Sequence, residues 1–446
     1  MIPVLTRPLQ RERLLLGMAV LVVLAGFYLT LLTFSDASAP AVAVIRFGSF
    51  SRTLDRTWGD RLLGIVFAVA AYLTYFSIRR KRRSDFIVFP VMICLTGLGL
   101  VQLFRLGFDL AAVTGTGRHS ALAYYQMIWV ILGLAVFSLT VRLTTYRVIH
   151  RLSRLRYTYV IAAVLLIAGT LAFGVERAGR TLSMRIAGFE FMPVELVKIF
   201  VVLFASAFFG QRGVVDPHGY SRRNALPYLI MAALVLGLLV IQKDIGPLII
   251  MFGVLAAMYG TATGRWLRVA AAAVFTMGLA GTAYMLDTPS IVRTRFDMWL
   301  KPFELCEQAV RAFWAQSAGG LLGTGWGQGS SFRIPEVHSD FNFVVFAEEL
   351  GFAGSAVIIM MYAVFCLAGL SIALRTADPF RRLAAVGIST MIFLQTFVIV
   401  AGDTGLLPLT GITLPFISYG GSSLLTQFFQ AGLLYRIACA DRERES

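Results

Sequence analysis

The sequence predicts an all-α polytopic membrane protein, and three observations predict it. Of the 446 residues, 58% are hydrophobic and 14% charged, with a mean hydropathy of +0.76. A soluble domain has roughly 45–50% apolar and about 25% charged residues. Twelve apolar stretches approach the length of about 20 residues that a spanning helix needs. The basic residues fall in alternate connections between those stretches, as expected when Lys and Arg stay on the cytoplasmic side.

The first stretch, 14–34, follows Arg7, Arg11 and Arg13 and precedes Ala37-Ser38-Ala39, which has the form of a cleavage site. Its apolar core of about 21 residues exceeds the roughly 7–15 of a signal peptide, so it reads as a retained helix. The others lie at roughly 62–78, 86–104, 121–140, 157–175, 191–210, 226–241, 246–263, 267–286, 350–374, 383–401 and 416–438. "RRKRR" at 79–83 opens the series of basic connections, followed by Arg142 to Arg156, Arg212 to Arg223, Arg265 and Arg268, Arg375 to Arg382, and the C-terminal arginines. Intervening connections are mixed or acidic; 402–415 holds Asp403 and no base. About twelve helices with both termini in the cytoplasm satisfy this pattern. One long connection, about 287–349, then falls on the outer face. Connections of that length are functional or disordered, and its aromatic content argues against disorder.

The net charge of +16 would suggest nucleic acid in a soluble protein. Here the membrane accounts for it, and no nucleic-acid partner is expected. Cys94, Cys306, Cys366 and Cys439 are scattered without CxxC spacing. His119, His150, His218 and His338 form no metal-ligand motif. There is no G-x-x-x-x-G-K-[ST] loop, so no nucleotide site is expected.

Ionisable residues at membrane depth are functional candidates, because each is costly unless paired or wet. Glu195 and Lys198 in "MPVELVKIF" are three apart and share a helix face, either as a self-contained ion pair or as the lining of a polar cavity. Asp244 in "IQKDIGPLII" sits in a short connection, either as a turn residue or as part of a site. Glu348 and Glu349 fall where the tenth helix begins, suited to its N-terminal dipole; His338, Asp340 and Glu336 lie just upstream. The stretch "GLLPLTGITLPFISYGGSSLL" (405–425) interrupts apolar sequence with two prolines and four glycines, and adds Ser418, Tyr419, Ser422 and Ser423. A helix broken at "YGGSS" would offer backbone groups to a cavity, since irregular backbone at membrane depth needs burial or water. The outer "RFDMWLKPFELCEQ" gathers Arg295, Asp297, Lys301, Glu304 and Glu307 in fourteen residues. It is either a reaction site or an amphipathic surface segment.

The motifs "FMPVELVK", "QKDIG", "PEVHSDFNFVVFAEELG" and "LPLTGITLPFISYGGSS" resemble, in order, the signatures of the SEDS proteins, the FtsW/RodA/SpoVE group. The resemblance covers roughly 86–438. It implies a family core of ten helices preceded by a two-helix extension (1–85) and followed by a cytoplasmic tail (439–446). It also implies a peptidoglycan glycosyltransferase of the bacterial cytoplasmic membrane, acting in division or cell-shape maintenance. Such an enzyme polymerises lipid II on the outer face and works with a class B penicillin-binding protein. Its reaction needs a carboxylate to accept a hydroxyl proton. It also needs cationic groups, or a divalent cation such as Mg or Mn, for the departing pyrophosphate.

By resemblance, Arg180, Glu195, Lys198, Asp244, His338 and Asp340 fall on family positions expected to bind substrate, as do Ser422 and Ser423. Val194 stands for the usual serine before Glu195, and Lys243 for the usual proline before Asp244. The family's presumed catalytic aspartate aligns with Lys301, counting back without gaps from "GGLLGTGWGQG". A lysine cannot replace that carboxylate, which leaves Glu304 or Asp297, each about one helical turn away, to serve as the catalytic group. The alternatives are a non-catalytic relative that binds lipid II or scaffolds a transpeptidase, and a flippase-like transporter. Broken helices and buried charges also mark transporters, but no internal repeat is visible.

Overall fold

The computed structural model describes residues 8–33, 42–47, 50–79, 87–114, 121–177, 180–186, 189–211, 222–286 and 290–445. Ala37 to Ala39, most of the 79–83 basic run, and Arg212 lie outside the described residues. In chain order the elements begin with α1 (Pro8–Thr33), a hairpin of β1 (Val42–Phe47) and β2 (Phe50–Asp55), α2 (Arg56–Arg79), α3 (Val88–Thr114) and α4 (Leu122–Leu143). A short α5 (Tyr146–Leu152) and α6 (Arg156–Phe173) lead to β3 (Val175–Arg177), β4 (Arg180–Ile186) and β5 (Phe189–Phe191). Next come α7 (Pro193–Gly210), α8 (Arg222–Ile241), α9 (Ile245–Thr263) and α10 (Trp266–Leu286). The long connection contains α11 (Ser290–Leu300), α12 (Pro302–Leu305), α13 (Glu307–Gly319) and α14 (Asn342–Glu349). The chain ends with α15 (Gly351–Arg375), α16 (Pro379–Asp403) and α17 (Gly421–Glu445).

Each of the twelve predicted spans overlaps a helix. Among the described residues, nine helices are long and apolar enough to cross a membrane, which makes the chain a polytopic membrane protein. The other three differ for identifiable reasons. Within α2 and α8 the apolar stretches are shorter, Leu62–Ile78 and Leu226–Ile241. In α17 the buried Gln427, Gln430 and Arg436 lower the hydropathy, because this helix packs against protein along α4 and α3 rather than against lipid. Further differences concern α3, which runs ten residues past the predicted end, and the short connections. Two of these fold into small antiparallel sheets, β1-β2 and β3-β4-β5. Strands of three to seven residues are too short to reveal themselves by periodicity.

The chain divides into two compact units. The first comprises Met1–Leu143, Arg311–Ala368 and Thr413–Ser446. Its helices pack closely because glycines admit neighbouring backbone. A Cβ on Gly99 would lie 2.4 Å from the Ile417 carbonyl oxygen, and one on Gly133 would lie 2.4 Å from the Phe428 ring. The second comprises Thr144–Val310 and Gly369–Ile412. Here α7 is surrounded by α6, α9 and α16. At its end, a Cβ on Gly210 would meet the Phe380 backbone at 2.9 Å. The start of α16 is fixed by Asp378, whose carboxylate accepts the Arg381 N–H at 2.9 Å and satisfies one of the donors left open at a helix start. By contrast, α10 buries no side chain, and its main contacts among the described residues are with α9 and α11.

Overpacking a filled contact costs about 1–3 kcal/mol, and against backbone the neighbour cannot rotate away. Gly99→Val is therefore expected to lower the melting temperature of the purified protein, measured in detergent. A control at Gly169, where a Cβ meets nothing within 4 Å, leaves it unchanged.

Candidate functional site

In the second unit, Pro193 opens α7 and places Glu195 in its first turn. Lys198, one turn on, brings its Nζ to 2.9 Å from Glu195 Oε2 and donates to Gln395 Oε1 of α16 at 3.0 Å. All three side chains are buried. The ion pair is therefore joined across helices rather than closed within α7. Asp244 stands at the N-cap position of α9 without capping it and is buried rather than exposed. Lys243 before it has φ 59°, a left-handed value that proline cannot adopt. The turn therefore has a different backbone from one built on the family's proline. A Cβ on Gly246 would meet Ile412 and Thr410, so this turn rests against the connection after α16.

The same connection holds the charged stretch 295–308. Arg295 Nη1 donates to the Leu409 carbonyl at 2.6 Å, and Trp299 Nε1 to the Gly405 carbonyl at 2.8 Å. Phe296 lies between the Tyr284 and Trp299 rings, with centroids 5.9 and 6.1 Å away. Asp297 is engaged through both oxygens: Tyr284 donates to Oδ1 at 2.9 Å, and Arg293 Nε lies 3.8 Å from Oδ2. The helix stops at Lys301, whose backbone (φ −128°, ψ 58°) precedes Pro302 and the single turn of α12. Asp297 and Glu304 therefore do not share one helix. Among the described residues they are linked through Lys301, whose N–H donates to the Asp297 carbonyl and whose carbonyl accepts the Glu304 N–H. Lys301 and Glu304 are exposed, and neither side chain is engaged by another described residue. Arg180 lies in β4, and its side chain is outside the described set.

In the first unit, the His338 carbonyl accepts the Tyr419 N–H at 2.9 Å and Asn342 Nδ2 at 3.2 Å. The His338 ring packs on Tyr419 with centroids 5.6 Å apart, and its Nε2 lies 3.8 Å from Glu336 Oε2. Asp340 is half-buried beside it. The "YGGSS" stretch does not break a helix. It begins α17, and the backbone before it is already partnered: Leu414 N–H donates to Ser418 Oγ, and Phe416 N–H to Gln427 Oε1. Gln126 donates to the Ser418 carbonyl. Ser423 is buried between Thr413 and Gln427, so its hydroxyl shapes this turn; Ser422 is half-buried. Glu348 and Glu349 end α14 rather than beginning α15. Glu348 accepts the N–H groups of Ser330 and Ser331, both at 2.8 Å. Glu349 accepts the Gly327 N–H at 3.1 Å and meets Arg105 Nη2 at 2.5 Å. Arg105, which also lies 3.1 Å from Asp109, has no exposed surface.

Gln395, Arg105 and Tyr284 were missed from the sequence. Arg105 had a visible signal in the i,i+4 spacing to Asp109. Gln395 and Tyr284 had none, because their partners are remote in the chain.

A family model described as "Cell cycle protein", of the FtsW/RodA/SpoVE group, matches residues 85–443. The peptidoglycan glycosyltransferase RodA of Mycobacterium tuberculosis is 32% identical over 399 residues, covering 85% of this chain and 84% of that one. The corresponding protein of Mycobacterium leprae is 30% identical over 428 residues, covering 92% and 90%. A probable peptidoglycan glycosyltransferase FtsW of Geobacter sulfurreducens is 30% identical, covering 81% of this chain and 97% of that one. Among solved structures, a chain of a peptidoglycan synthase complex that coordinates polymerization and crosslinking aligns with a TM-score of 0.67 and 25% identity. It covers 81% of this chain and 98% of that one.

Burial pushes the Glu349 carboxyl up to about 7, against the lowering pull of Arg105 and the Gly327 N–H. An unfolded chain would titrate it near 4.5, so between those values the native state holds the proton and the unfolded state does not. This contribution to stability is complete below about pH 4.5 and is lost as the pH rises through about 7. It amounts to on the order of 3 kcal/mol. Melting temperatures measured from pH 5 to pH 8 are expected to fall, and to fall less in Glu349→Gln.

Proposed function

The chain belongs to the FtsW/RodA/SpoVE family, and from that premise we propose that it polymerises lipid II into glycan strands at the outer face of the bacterial cytoplasmic membrane. The relatives named above carry the name peptidoglycan glycosyltransferase, one of them as probable, and this chain covers most of their length, which supports the activity. A class B penicillin-binding protein is the proposed partner, by analogy with the synthase complex to which the chain is structurally similar.

In the proposed reaction a sugar hydroxyl of one chain end attacks the anomeric carbon of another. The new glycosidic C–O bond forms as the bond to the lipid pyrophosphate breaks, and the pyrophosphate leaves with the electron pair. The hydroxyl proton passes to a carboxylate. Glu304 is assigned that role, and one observation carries the assignment: Glu304 is exposed and unengaged, whereas both oxygens of Asp297 are held by Tyr284 and Arg293. Asp297 is accordingly a positioning residue that joins α10 to α11. Lys301, one residue before α12, is proposed to receive the departing pyrophosphate. Each unit has its own proposed substrate contacts: Glu195, Lys198 and Asp244 in the second, His338 and Asp340 in the first. Among the described residues no three His, Cys, Asp or Glu side chains gather as metal ligands. A divalent cation held between the substrate pyrophosphate and one or two carboxylates needs no such cluster, and no step is routed through one.

The departure at Lys301 favours one second reading, a relative that binds lipid II without polymerising it. Purified protein with its transpeptidase, supplied with lipid II, separates the two. General-base removal costs typically 10²–10⁴-fold, so Glu304→Gln is expected to lose roughly that much strand synthesis. Asp297→Asn, which keeps the shape and weakens one contact, loses roughly tenfold or less. Wild-type rates from Glu304→Gln would sink the assignment, and bound lipid II without strands from any variant or the wild type would favour the second reading.

A further inference from the structure

The family match begins at residue 85, after α1 and α2, yet α1 is built into the first unit. A Cβ on Gly97 of α3 would lie 2.2 Å from Val23, and one on Gly26 would lie 3.1 Å from Val101. The Phe27 and Phe104 rings are 5.6 Å apart. The residue after Phe104 in α3 is Arg105.

The connection "TGWGQGSS" (324–331) is anchored at its end by Glu348, which accepts from Ser330 and Ser331, and along its length by further bonds. Thr324 and Gly325 donate their N–H groups to the carbonyls of Glu348 and Glu349 at 2.9 and 3.1 Å. Gly327 donates to the Glu349 carboxylate at 3.1 Å. Arg105 Nη2 donates to the Gly329 carbonyl at 3.1 Å. Gly325 and Gly327, with φ 105° and 78°, bracket Trp326 in a backbone that only glycine adopts readily. Trp326 is thereby turned to α1, where its Nε1 donates to Thr30 Oγ1 at 2.9 Å. The Thr30 hydroxyl donates in turn to the Gly26 carbonyl at 2.9 Å, so its remaining lone pair faces the indole. A stretch with glycine at 323, 325, 327 and 329 has little stiffness of its own, and external bonds decide its conformation.

We propose that α1 is a positioning element for this connection: the Thr30 hydroxyl holds Trp326, and through it the segment that leads to His338 and Asp340. The ten-helix core would then depend on the extension for the placement of a substrate-contacting segment. The activity readout rests on the glycosyltransferase reading; the exchange readout below does not.

The test is a double-mutant cycle in the full-length chain, using Thr30→Val, Trp326→Phe and both together. Thr30→Ser serves as the conservative rescue and Leu21→Ala, on the exposed face of α1, as the control. Each single variant is expected to raise KM for lipid II roughly five- to tenfold, the effect of one net hydrogen bond, with kcat within about twofold. A merely destabilised protein would instead lose active molecules, which lowers kcat and leaves KM alone. The double variant is expected to be no worse than either single one, and Thr30→Ser to match the wild type. Amide hydrogen exchange over 324–331 should accelerate by a similar factor in Thr30→Val and not in Leu21→Ala. Additive losses in the double variant, or unchanged exchange in Thr30→Val, overturn the proposal. If the wild type makes no strands, the glycosyltransferase reading fails while exchange still decides this one.

Discussion

A guanidinium without exposed surface has to be answered by charge and by hydrogen bonds, and the first unit is arranged around that demand at Arg105. Taking such a group out of water costs several kcal/mol unless the geometry compensates. Part of the compensation reaches Nη2, from Asp109 on the same helix, Glu349 at the end of α14 and the Gly329 carbonyl, while Nε and Nη1 have no hydrogen-bond partner among the described residues. These contacts hold the end of α14 against α3, and Glu348 beside it takes two backbone N–H groups. The glycines follow from the same requirement. Gly319 and Gly323 lie so close to the Ala347 and Glu349 carbonyls that a Cβ would meet each at 2.1 Å. One buried charge thus ties Gly329 and Glu349 of the long connection to α3.

The second unit solves a related problem differently. Lys198 is answered by Glu195 and Gln395, which ties α7 to α16. The connection that leaves α16 then serves as a platform. Its Gly405 and Leu409 carbonyls, unpaired by any helix, accept from Trp299 and Arg295, and its residues 410 and 412 receive the turn beside Asp244. Irregular backbone exposes acceptors that regular structure would consume. Here those acceptors set the position of α11, and hence the point where the chain breaks at Lys301.

What the sequence revealed follows the range of the interactions. Apolar stretches are local, and every one of the twelve overlaps a helix. The Glu195–Lys198 pair is local as well and was legible from its spacing. Gln395 was not, since only the packing of α16 on α7 brings it there. The polar residues of α17 weaken its apolar signal because the helix is buried among protein. Glu348 and Glu349 were assigned to the start of a helix because nothing local marks the end of α14. The choice between Asp297 and Glu304 could not be read at all. It depends on Tyr284, at the far end of a helix with no distinguishing pattern around it.

The exchange of an acid for Lys301 changes more than the identity of one base. In the proposed reaction the leaving group is an anionic pyrophosphate. An ionised acid beside it would oppose both its approach and the growth of charge as the bond breaks. A lysine at the same point attracts the donor, and moving the carboxylate to Glu304 separates the two tasks by three residues on an exposed turn. Pro302 between them holds φ near −65°, so α12 starts at a defined point and Glu304 is carried on its first turn. On the proposed reading the cation and the base are carried on one short turn, with α11 anchored behind it by Arg295 and Trp299. The physical requirement of the reaction is a proton acceptor near the hydroxyl and positive charge near the phosphate. Neither requires that the acceptor occupy the position where the family's aspartate stands.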